Sequence, residues 1–151
     1  MREESGQGAV EILLVLLVLL PILFGAFSLA QGVILKHNLD VSAEKAARVL
    51  SVNPSDYSYA EYLIRSEVES GLLGAGYGQR VVIRLYDAVT RAEISPADLA
   101  GAGFGYRFVV QAEVPWRADI PFLSSGPQTI SVLHFGMVER FRDVCVQTFS
   151  R

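Results

Sequence analysis

Cysteine, histidine and positive charge are scarce in this chain, and each scarcity removes a class of function. Only one of the 151 residues is cysteine, Cys145. No intrachain disulfide can form, so apolar packing must hold the fold unless Cys145 pairs with another chain. The two histidines, His37 and His134, lie far apart in sequence, with no cysteine or acid at metal-ligand spacing beside either. They suggest no metal, no cofactor and no catalytic residue. Basic residues do not dominate either: 13 Lys and Arg stand against 16 Asp and Glu, with a pI of 5.4, so the electrostatic footprint of a nucleic-acid binder is missing. Gly103-Phe104-Gly105-Tyr106-Arg107-Phe108 faintly echoes an RNA-recognition strand. That pattern wants a base at position 102, where Ala102 stands, and an aliphatic residue at position 107, where Arg107 stands.

The longest gap is one of charge. After Glu11 the next ionisable residue is Lys36, and from Ile12 to Ala30 nineteen residues are interrupted only by Pro21, Gly25 and Ser28. As a helix this run measures roughly 28 Å, one bilayer crossing. It is apolar around its whole circumference, whereas a soluble core helix would show a polar face. Pro21 lacks the N–H of one ladder bond, which predicts a kink or local opening there. Ser28-Leu29-Ala30 would suit ordinary signal peptidase and release a domain starting at Gln31. Against that, the segment before the run is acidic and the run is longer than a signal-peptide core.

Glu11 opens the apolar run, and an acid so placed either snorkels into headgroups or has a partner. Five positions before it lies Gly6. Ser5-Gly6-Gln7-Gly8-Ala9-Val10-Glu11-Ile12-Leu13-Leu14 resembles the start of type IV pilin precursors, and within that superfamily the TadE-like pseudopilins and minor pilins of Tad-type pili. The match rests on Gly6, Gln7, Val10, Glu11 and the apolar run behind them. The resemblance implies cleavage between Gly6 and Gln7 by a membrane-embedded prepilin peptidase. It also implies pairing of Glu11 with the new amine of its own or a neighbouring subunit. A carboxylate and an ammonium that must both enter hydrocarbon attract strongly, and either one alone is heavily penalised.

The implied partners are other pilin subunits in a homo- or hetero-oligomer, the prepilin peptidase, the inner-membrane assembly platform and the lipid bilayer, with no nucleic acid. The implied location is the cytoplasmic membrane as a single-pass protein with its head outside the cytoplasm, and then a filament. Two further readings are a major filament subunit and an uncleaved single-pass anchored binding module. An exported enzyme has no residue constellation behind it.

Beyond the membrane the helix should continue, because Leu35, Leu39, Ala43, Ala46 and Leu50 form one stripe and Glu44 and Arg48 make an i,i+4 pair. Asn53-Pro54 ends it. The expected organisation is a leader at 1–6, a spine helix at 7–53 with its transmembrane part at about 9–30, and a globular head at 54–151. In the head, Ser58-Tyr59-Ala60-Glu61 reads as a capping box opening a helix to about Leu72. Gly71, Gly74, Gly76 and Gly78 close that helix and precede a strand, so they read as a turn and not as a phosphate cradle.

Strands are expected at Val81 to Tyr86, at Tyr106 to Val114 and at Gln128 to Val138, the last either central or packed on the spine. Between the last two, Pro115, Pro121 and Pro127 mark an irregular loop that carries Trp116 and Phe122. Glu139-Arg140-Phe141-Arg142-Asp143 reads as solvated surface. The fold class is α+β: a long N-terminal hydrophobic helix, a short helix and a small antiparallel sheet, a pilin-like layout.

Overall fold

The computed structural model describes residues 4–71, 74–117, 119–120, 123–124 and 126–139, without the side chains of 4–7, 119–120 and 123–124. Cys145, Phe122 and the charged run from Arg140 lie outside the described residues.

One helix, α1, runs from Glu4 to Val52 over 49 residues, about 73 Å of rise. Its lower part is bare. From Gly8 to Phe27 every side chain is exposed except Pro21 and Gly25, which are half-buried. Higher up, Leu35, Leu39, Ala43, Ala46 and Leu50 are at most 1% exposed. The 3.6-residue periodicity therefore emerges only where something lies alongside to cover one face.

The cover has two layers. Helix α2, Tyr57–Ser70, turns Ala60, Ile64 and Val68 into the core, and Lys45 of α1 pairs with Glu67 of α2 across their surface. The sheet lies on both helices in the order β2-β1-β3-β6, all antiparallel, with β1 at Val82–Asp87, β2 at Glu93–Ile94, β3 at Arg107–Trp116 and β6 at Gln128–Met137. A small hairpin of β4, Asp119–Ile120, and β5, Leu123–Ser124, stands apart from it. Alternation along β3 places Phe108, Val110, Ala112 and Val114 fully inside the core. Strand β6 is the edge strand packed on the spine, and the central long strand is β3. The apolar outer side of β6, namely Leu133, Phe135 and Met137, is left exposed.

Several local expectations are corrected. Helix α2 starts at Tyr57 with Asp56 at its N-cap position and no side-chain capping bond. Ser58 therefore falls inside the first turn, and Glu61 pairs with Arg65 instead. The capping box is elsewhere, where Ser95 and Asp98 bond reciprocally around Pro96 to open the six-residue α3, Pro96–Gly101. Strand β3 also runs through Pro115 to Trp116. Its ladder with β1 ends at Glu113 while that with β6 continues, and proline is admissible where a strand has a neighbour on one side only.

Asp87 organises the connection from β1 to β2. Its carboxylate accepts the N–H groups of Val89 and Thr90 and the Tyr106 hydroxyl, all at 2.7 Å. Chiefly through the Thr90 N–H, then the Tyr106 hydroxyl, the Asp87 pKa falls from its usual 3.8 to about 2. The bond to that carboxylate raises Tyr106 from 10.0 to about 12.

Two measurements check this packing. A methyl at Gly136 would sit 2.3 Å from Cζ of the buried Phe108, so Gly136→Ala should lower unfolding stability by about 1–3 kcal/mol through overpacking. Asp87 stabilises the fold above pH 3.8, and its contribution fades as pH falls toward 2. Tyr106 does so below pH 10 and loses it as pH rises toward 12. Melting temperature against pH should lose the acid component in Asp87→Asn and the alkaline one in Tyr106→Phe.

Candidate functional site

The chemistry-bearing residues of the bare helix all belong to α1. Gly6 and Gln7 lie in its first turns. Gln7 and Glu11 are spaced i,i+4, so the two positions lie one turn apart on the same face of the helix. Glu11 is exposed, and among the described residues nothing pairs with it. The nearest described cation along the helix is Lys36, twenty-five residues or about 37 Å away. α1 is long and apolar enough to cross a membrane. A carboxylate at the start of such a segment either reaches the headgroups or takes a partner. Pro21 sits inside the helix, which stays helical on both sides of it, although the Leu17 carbonyl must lose its ladder partner there.

The head offers packing and little chemistry. Among the described residues no three His, Cys, Asp or Glu side chains lie close enough to hold a metal. In space His134 does have an acid beside it: its Nε2 lies 2.9 Å from Oδ1 of Asp40 on the spine. The two are 94 positions apart, and no spacing rule could have joined them. The glycine turn holds an anion of its own, because the Glu69 carboxylate accepts the N–H groups of Gly76 and Gly78 at 2.8 and 2.9 Å. It is a turn, as its position after a helix implied. Of the aromatics in the RNA-strand echo, Phe108 is buried and Tyr106 is committed to Asp87.

A long bare apolar helix with a lone acid near its start, carried by a small α+β head, is a pilin-like layout. Residues 6–48 match the TadE-like protein family. The similarity, from Gly6 to Arg48, takes in the whole bare segment and most of the head-covered stripe. No curated protein and no solved structure matches the chain. The matched segment thus runs from the bare helix into the head without a boundary, and the sheet that covers its upper part lies outside the matched residues.

The Asp40–His134 contact joins the TadE-like helix to the sheet, but both side chains are partly solvated, at 54% and 23% exposed. A double-mutant cycle with Asp40→Ala and His134→Ala, read by denaturant unfolding, should give a coupling of no more than about 1 kcal/mol.

Proposed function

We propose that this chain is a TadE-like minor pilin or pseudopilin of a Tad-type pilus: a structural subunit that performs no reaction and joins a helical bundle through α1. The observation that carries the reading is the bare segment from Gly8 to Phe27, charged only at Glu11 and rigidly continuous with a head-covered spine. Such a helix needs lipid or other helices of its kind around it, and in both surroundings Glu11 needs a cation.

Cleavage between Gly6 and Gln7 would supply that cation, placing an ammonium one turn from the Glu11 carboxylate on the same face or within reach of a neighbour's. The scissile bond lies within the helical first turns, so a prepilin peptidase must unwind them. Gly6 and Gly8 make this easier, since each glycine weakens a helix by about 1 kcal/mol relative to alanine. The head then stays on the far side of the membrane and leaves with the filament. Pro21, with one ladder bond missing, is the weak point of the bare segment.

Mass and N-terminal sequencing of the chain from native membranes and from sheared surface material test the proposal. A start at Gln7 is expected, with Gly6→Leu accumulating at full length. Glu11→Ala should be expressed and cleaved normally while its content in the sheared fraction falls. An uncleaved anchored module would tolerate both substitutions, and a soluble chain starting at Gln31 would sink the pilin reading.

A further inference from the structure

The head reaches down to the level at which the bare helix ends. Trp116, the only tryptophan of the chain, lies at the lower end of β3 and packs on Gly32 of α1, so closely that a methyl there would be 3.0 Å from its Cζ2. The hairpin strand β4 that follows also lies against α1. If Glu11 marks one edge of the hydrocarbon, Gly32 lies twenty-one residues or about 31 Å further along, and the hydrocarbon is about 30 Å thick. Trp116 therefore stands at the opposite membrane interface, the depth that tryptophan favours.

Two exposed cations lie at that height, Lys36, one turn above Gly32, and Arg117, next to Trp116, with one acid, Asp119, following in β4; among the described residues no hydrogen bond or ion pair engages either cation. The nearest described acid on the spine, Asp40, lies a further turn up and is held by His134. The Trp116 side chain is 7% exposed, and among the described residues its buried indole N–H has no acceptor.

We propose that the lower rim of the head, built by Trp116, Arg117 and Lys36, is a second membrane contact that docks on the phosphates of the lipid headgroups. It rests on the reading that α1 spans the bilayer. Two cations at the height of the phosphate layer, on a rim continuous with a spanning helix, form an attractive surface for anionic lipid. Lys36 can lay its methylene stem along the helix and lift its ammonium to the phosphates. The subunit thus sits on the membrane as well as through it, and entering a filament means detaching the head from lipid.

The full chain reconstituted in phosphatidylcholine vesicles containing phosphatidylglycerol, with lipids brominated high or low on the acyl chain, tests this through Trp116 fluorescence. Bromines high on the chain should quench Trp116 more than bromines deep in it. The charge reversals Lys36→Glu and Arg117→Glu together should weaken that quenching, and added salt should weaken it in the parent chain alone. A Leu20→Trp probe in a Trp116→Phe background reports the span separately by deep quenching. Deep quenching of that probe with Trp116 untouched by any brominated lipid overturns the inference and leaves the span intact. Trp116 quenching that ignores the charge reversals overturns the phosphate contact. Loss of both signals overturns the span itself.

Discussion

A single backbone hydrogen-bond ladder runs from Glu4 to Val52, and both halves of the molecule depend on it. Below, no side chain among the described residues covers the helix, so the ladder has to satisfy its own peptide groups, as any segment in lipid must. Above, the same ladder holds Leu35, Leu39, Ala43, Ala46 and Leu50 in line, and that line is what α2 and the sheet pack against. The two halves differ in what surrounds the helix, and its backbone does not change between them. One helix can therefore serve as anchor and as the central element of a folded domain.

The head follows from that arrangement. Helices α1 and α2 leave one apolar face between them, and β3 with β6 closes it through Phe108, Val110, Ala112, Val114 and Val132. The other face of the sheet is not closed: Leu133, Phe135 and Met137 lie in solvent along an edge strand that carries no lysine, arginine or proline. Natural edges are usually guarded by such residues. An uncharged edge next to an exposed apolar row gives the chain a surface less shielded from other chains than its small net charge would suggest.

Much of this was legible because long periodic signals are robust. The apolar run, the stripe above it, α2 and the three long strands all show in the sequence, each carried by several residues in register. What stayed hidden was short or distant. The two-residue strands and the six-residue α3 offer too few residues for any periodicity. The chain enters α2 through Asp56, two residues earlier than Ser58 would suggest, and the capping box is at Ser95 and Asp98 of α3 instead. Apolar residues on both faces of β6 implied a strand either central or packed on the spine, and it is the second. One of those faces is in fact bare, a distinction that composition cannot draw. The contacts of Asp40 with His134 and of Gly32 with Trp116 join distant parts of the chain, and only the fold shows them.

The sheet is fastened to the spine near both of its ends. At the top, Ser51 accepts the Glu139 N–H through its carbonyl, at 2.8 Å, and the Met137 N–H through its hydroxyl, at 3.3 Å. At the bottom, Trp116 is pressed on Gly32. Some 28 Å of helix between those two points is splinted by a strand of matching length, and stretching it would require shearing the sheet. The bare segment below has no splint and one missing ladder bond at Pro21. Under axial tension the molecule would be stiff along its upper half and compliant along its lower half, so the load path through it is graded by the height at which its head is tied on.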